Sequence, residues 1–108
     1  MAYDGGLAQR VREALEDEPM TERKMFGGMC FMLRGNMCCG VAGDDLMLRV
    51  GPDAYEEALS ADHVREMDFT GKPLRGMVYV APEGIEEDDD LRAWLKRGIA
   101  FVGSLPAK

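Results

Sequence analysis

Met29-Cys30-Phe31-Met32-Leu33-Arg34-Gly35-Asn36-Met37-Cys38-Cys39-Gly40-Val41 is the stretch that decides the fold. Two short apolar runs flank a polar break. Each has the length of a strand and ends at turn-forming residues, which reads as a β-hairpin rather than a helix. Taking Gly35-Asn36 as a two-residue loop puts glycine first. That is what a type II′ turn requires, and its twist suits the flanking strands. The loop then pairs Leu33 with Cys38 and Met32 with Cys39. Successive side chains alternate across a strand. One face therefore carries Met29, Phe31, Leu33, Cys38 and Gly40, and the other carries Cys30, Met32, Cys39 and Val41. Both faces are apolar, whereas a sheet open to water on one side alternates with polar residues. We expect the second face to be covered by a helix or by another subunit, and so expect a homodimer.

On the N-terminal side, a short strand at Glu22–Met25 leads through Phe26-Gly27-Gly28 into the hairpin. Before it, Leu7, Val11 and Leu15 recur every four residues beside Ala8 and Ala14. Asp4 can cap that helix, and Glu18-Pro19 ends it, because the residue before proline avoids helical geometry. On the C-terminal side, Gly43-Asp44-Asp45 turns the chain into Leu46–Val50, the third strand of the run. Gly51-Pro52-Asp53 opens a second helix, in which Tyr55, Ala58 and Leu59 share a face. Strands near Arg65–Phe69 and Gly76–Val80 flank the loop Thr70-Gly71-Lys72-Pro73, and Pro82 stops the latter strand. The acidic run Glu86–Asp90 precedes a third helix, at the positive end of its dipole. Leu91, Trp94, Leu95, Ile99 and Val102 form that helix's stripe, with Gly103 as a C-cap. The order α-β-β-β-α-β-β-α lacks a βαβ alternation. It predicts an α+β domain over residues 1–108, with a mostly antiparallel five-stranded sheet and packed helices.

Size and charge narrow the function. A chain of 108 residues has room for about one core. No run approaches the ~18 apolar residues of a membrane helix, and the N-terminus lacks the basic-then-apolar order of a secretory signal, so a cytoplasmic location is expected. The net charge is −7, and no third of the chain is net basic. DNA affinity depends on neutralising phosphates, so direct DNA binding by this chain alone is not expected.

The residues that could carry chemistry do not assemble into a motif. Cys30, Cys38 and Cys39 are three thiols without a Cys-x-x-Cys pair. Cys38 and Cys39, adjacent on a strand, point to opposite faces in this reading, so we assign no metal site. His63 is the one histidine and lies in a polar loop, and Ser60 and Ser104 lie in no nucleophile elbow. Gly27-Gly28 stands between two strands, not between a strand and a helix, so it is no phosphate cradle. No catalytic residue and no cofactor is assigned, and the chain is read as a non-enzyme. Arg23, Lys24, Arg34, Arg49, Arg65, Lys72 and Arg75 fall on the sheet or its turns, interleaved with acidic residues. Of these, Arg23, Lys24, Arg34 and Arg49 are the candidate binding residues. Nine methionines fill the core as flexible apolar side chains, or line a pocket for a small apolar ligand.

Arg23-Lys24-Met25-Phe26-Gly27-Gly28, followed by Met29–Leu33, Gly35, Asp45–Val50, Met77–Val80 and the Leu91–Trp94 helix, resembles the N-terminal domain of the TfoX/Sxy family. Met-Phe-Gly-Gly is the most specific part of the match. The resemblance implies an α+β fold similar to the secretion-chaperone type. It also implies a regulator of natural competence that acts as a co-activator with the cyclic-AMP receptor protein. Protein contact would then be primary and DNA contact secondary. The family's full-length regulators carry a second, helical domain, and we expect no counterpart of it within these 108 residues. The resemblance brings no catalytic residues. The leading expectation is a protein-interaction module of transcriptional or competence regulation; the alternative is a small-ligand binder or sensor with a methionine-rich pocket.

Overall fold

The computed structural model describes residues 3–68, 71 and 74–107. Phe69, Thr70, Lys72 and Pro73, on which the readings of a strand end and a basic loop fell, lie outside the described residues. The elements are α1 (Gly5–Ala14), β1 (Met20–Met25), β2 (Gly28–Leu33), β3 (Asn36–Ala42), β4 (Asp45–Arg49), α2 (Tyr55–Leu59), β5 (Val64–Glu66), β6 (Met77–Val80), a 3-10 turn (Pro82–Gly84) and α3 (Asp88–Gly103). The class is α+β. The strands form one six-stranded antiparallel sheet in the order β1-β2-β3-β4-β6-β5. The expected count of five was one short because the segment before Phe26-Gly27 is a full strand. β1 pairs with β2 along its whole length, from Met20 opposite Leu33 to Met25 opposite Gly28.

The decisive hairpin forms one residue earlier than expected. Its loop is Arg34-Gly35, with Leu33 opposite Asn36 and Met32 opposite Met37. Both loop residues have positive φ, 51° at Arg34 and 84° at Gly35, which is the type I′ pattern and not type II′. The register then shifts between Phe31 and Met32, so that Phe31 faces Cys39 and Cys38 becomes the extra residue of a β-bulge. The shift re-sorts the faces. Cys38, Cys39 and Val41 join Phe31 and Leu33 on one side, while Cys30, Met32 and Met37 lie on the other. The expected grouping of Cys39 and Val41 with Cys30 and Met32, and the opposition of Cys38 to Cys39, are thereby corrected.

The first face is the main core. α1 lays Leu7, Ala8, Val11 and Leu15 on it, and α3 lays Leu91, Leu95 and Val102. Each such leucine or valine contributes on the order of 1.5–3 kcal/mol when fully buried. Asp4 caps α1 by accepting hydrogen bonds from the Gly6 and Leu7 amides at 2.8 and 3.2 Å. α3 begins inside the acidic run, with Asp88, Asp89 and Asp90 in its first turn, where the helix dipole favours negative charge. It approaches the sheet closely at Gly98, where an added Cβ would stand 2.8 Å from Leu48 and 3.5 Å from the Cys38 sulfur. α2 is a single short helix that buries Tyr55 and Ala58.

The second face is covered by this chain itself, not by a helix. Beyond β5, Met67 is fully buried against Cys30, Met32, Met37 and Met47, and Leu74 and Met77 pack on the same cluster. The Leu74 amide donates to the Met67 carbonyl at 2.8 Å, which folds the connection back on itself. The Met47 methyl sits over Gly40, where a Cβ would come within 2.8 Å of it. The cover is short-range and thioether-rich, which suits an irregular gap. The apolar second face therefore needs no second subunit to bury it.

Candidate functional site

β1 positions the first pair of candidate residues. It is an end strand of the sheet, and its residues between Met20 and Met25 are all exposed. Arg23 lies opposite Cys30, on the second face, and Lys24 lies opposite Met29, on the helix-bearing face. The two bases therefore point to opposite sides of one edge. Between α1 and this edge runs a short ion pair: Arg12 donates to Glu22 at 2.6 and 2.9 Å. Those hydrogen bonds lower the Glu22 carboxyl below its ordinary pKa and raise the Arg12 guanidinium. The pair ties the edge strand to the helical layer and fixes where the Glu22 carboxylate points.

Arg34 and Arg49 lie elsewhere, at the end of the sheet beneath the C-terminus of α3. Arg34 donates to the Gly103 carbonyl at 2.7 Å. Asn36, although 4% exposed, donates its amide to the Pro106 carbonyl at 3.0 Å. A guanidinium on the last carbonyls of a helix satisfies acceptors that have no partner within the helix and complements its dipole. Arg49 lies over the Phe101 ring, 5.6 Å from its centroid, and donates to the Met37 carbonyl at 3.4 Å. Both arginines hold α3 to the sheet. The four candidates thus do not converge into one patch: Arg23 and Lys24 face solvent on an edge, while Arg34 and Arg49 are engaged in structure.

Among the described residues, the other sheet bases are also engaged. Arg65 pairs with Asp45 at 2.6 Å and stacks on Tyr79 at 4.6 Å. Arg75 lies 5.9 Å from the Tyr55 ring centroid. A feature the sequence reading missed is a groove of about 480 Å³ between α1 and the start of α3. It is lined by Glu13, Glu16, Asp17 and Asp88, with Arg10 and Arg92 among them. Arg10 is held there by Asp88 at 3.1 Å and by the Ile85 carbonyl at 2.7 Å. The edge character of β1 was missed as well, though its signal was available: Thr21-Glu22-Arg23-Lys24 is polar on both alternating faces, as a strand with little cover must be.

The thiols are placed as core residues. Cys30, Cys38 and Cys39 are all free and fully buried. Burial pushes the Cys30 thiol up to about 11, and its sulfur lies 3.8 Å from the Met25 carbonyl. On the bulge, the hydrogen bond between the two neighbouring thiols raises Cys39 well above the ordinary thiol range and lowers Cys38 below it. The nucleophile is the thiolate, so the raised values work against reactivity at Cys30 and Cys39, whereas Cys38 is kept from reagents by its burial. Among the described residues, no group of three His, Cys, Asp or Glu side chains could hold a metal ion. His63 sits in a tight turn with φ 67°, its carbonyl accepting from the Ala81 amide at 2.8 Å. The methionines of the second face pack against one another, with Met47 and Met67 fully buried. Among the described residues, no helix is long and apolar enough to cross a membrane.

Comparison with known proteins adds one match. The model of the TfoX N-terminal domain family covers residues 6–102, from the first turn of α1 to the last turn of α3. No curated protein and no solved structure matches the chain.

Proposed function

The chain belongs to the TfoX N-terminal domain family, and on that premise we propose that it is a non-enzymatic protein-interaction module of transcriptional regulation, related to natural competence. The observation that carries the proposal is the extent of the family match, which takes in every helix and strand of the fold. The surface chemistry supports it. The solvent-facing polar edge at β1 offers Arg23 to an acidic patch on a partner protein, while the net charge of −7 disfavours autonomous contact with phosphates. The partner belongs to the transcription machinery of the cytoplasm, and its contact with DNA carries the promoter specificity.

The test is direct binding of the purified chain to RNA polymerase and to the cyclic-AMP receptor protein at low and moderate salt. Saturable binding that Arg23→Glu weakens about tenfold, and that salt also weakens, is expected for a steered polar contact. No binding to either, together with no transcription component enriched by the tagged chain over a control, would overturn the proposal.

A further inference from the structure

We infer that the exposed edge of β1 pairs with β1 of a second copy of this chain, antiparallel, with Glu22 opposite Lys24 of the second copy. The two ends of the sheet differ. β5 has three residues, Val64–Glu66, and follows His63 at φ 67°, a kink that blunts that edge. β1 has six, Met20–Met25, and is paired on one side only. The phase of its free hydrogen-bonding groups follows from the turn. Phe26 and Gly27 form a two-residue loop, with φ 54° and 73°, bracketed by Met25 opposite Gly28. The pair that brackets such a loop exchanges both of its backbone hydrogen bonds, and the alternation then continues along the strand. Thr21, Arg23 and Met25 thus turn their backbone groups toward β2, and Glu22 and Lys24 turn theirs outward.

A two-fold axis through such an edge pairs residues of the same face, and the outward groups must meet. Two central registers satisfy both conditions. One sets Glu22 opposite Glu22, which is repulsive. The other sets Glu22 opposite Lys24 twice, with Arg23 opposite itself and Thr21 opposite Met25. Charge complementarity selects the second. Glu22 is already oriented by Arg12 at 2.6 Å, so Lys24 of the second copy completes an Arg–Glu–Lys row on the helix-bearing side. The cost is one Arg23–Arg23 approach on the other side, where long side chains can splay into solvent. The pairing uses the same edge as the regulator reading but requires no other protein, so a failure of partner binding leaves it standing.

The pairing is tested by cysteine placement and sedimentation. The self-opposed position lies in a non-hydrogen-bonded pair, where Cα atoms approach to about 4.5 Å, within disulfide reach. Arg23→Cys is expected to form a covalent dimer in a glutathione redox buffer, whereas Thr21→Cys, which faces Met25, is not. The buried native thiols do not compete. Sedimentation of the unmodified chain is expected to show a dimer at roughly 200 µM. Lys24→Glu should weaken that dimer at least about tenfold, and Glu22→Lys combined with Lys24→Glu should restore it. A monomer at that concentration overturns the inference, as does cross-linking of Thr21→Cys in preference to Arg23→Cys. The Lys24→Glu position is exposed, and an unchanged thermal melt at low concentration establishes that its effect is on pairing and not on folding.

Discussion

Gly28→Ala is the substitution most damaging for its size. Gly27 and Gly28 occupy adjacent positions of the Met-Phe-Gly-Gly element but serve different ends. Gly27 has φ 73° and supplies the left-handed conformation of the β1–β2 turn. Gly28 has ordinary φ, is buried, and lies so close to β3 that a Cβ would overlap the Val41 carbonyl oxygen and stand 3.1 Å from the Ala42 Cα. Those neighbours are backbone in the middle of a sheet, so relief requires β2 and β3 to part. Ordinary overpacking costs about 1–3 kcal/mol, and a backbone obstacle belongs at or above the upper end. With a domain's total stability of about 5–15 kcal/mol, a loss near 3 kcal/mol lowers Tm by about 10–20 °C at this chain length. Gly27→Ala should cost about 1–2 kcal/mol, the penalty of a left-handed residue with a side chain. Gly43→Ala, at φ 56° with nothing within 4 Å of the added Cβ, isolates that same backbone penalty as a control. Urea titrations followed by circular dichroism would rank the three. A Gly28→Ala midpoint no lower than that of Gly43→Ala would refute the close-approach argument.

Three further outcomes are expected. The Tyr55 hydroxyl is buried with no hydrogen-bond partner among the described residues, so Tyr55→Phe should raise stability by about 1 kcal/mol, read as a higher urea midpoint at unchanged slope; a loss of stability would mean that the hydroxyl has a partner. Asn36→Ala removes the amide that holds the Pro106 carbonyl and should cost about 1 kcal/mol, with faster hydrogen exchange confined to residues after Gly103. Burial raises the Cys30 pKa to about 11. The unfolded chain gives up that proton near the ordinary thiol value of ~8.5 while the folded chain keeps it, so stability should fall as pH rises from about 9 to 11. Cys30→Ala should flatten part of that fall, and none of the native thiols should react with a disulfide reagent faster than the chain unfolds; a fast-reacting native thiol would contradict the burial.

What the sequence made legible follows from how strongly each segment is patterned. α1 and α3 were readable because their apolar residues recur on one stripe against exposed charges, so the helical period has contrast. β4 and β6 were placed within a residue or so for a similar reason: each is a short apolar run bounded by turn residues. β1 was recognised but not counted. Its polarity on both faces, Thr21-Arg23 on one and Glu22-Lys24 on the other, reads as a lead-in when it is the mark of an edge. Arg23 and Lys24 were legible as candidate binding residues, but not their separation: as consecutive residues on a strand they lie on opposite faces, away from Arg34 and Arg49.

The register of β2 and β3 failed for a deeper reason. A one-residue slip normally betrays itself by moving polar side chains into the core. In Met37-Cys38-Cys39-Gly40-Val41 no polar residue exists to be misplaced, since both faces of the sheet are covered. The shift of the loop to Arg34-Gly35 and the bulge at Cys38 are therefore invisible in hydrophobic pattern alone; the first moves the register by two residues and the second returns one of them. What fixes them is tertiary. Arg34, in a left-handed conformation unfavourable to a residue with a side chain, is held by the Gly103 carbonyl, and Asn36 by the Pro106 carbonyl. Gly98 lets α3 settle 3.5 Å from the Cys38 sulfur, where the bulge presents it. The C-terminal helix thus sets the phase of a hairpin some sixty residues earlier in the chain, and that phase decides which methionines and thiols line each face.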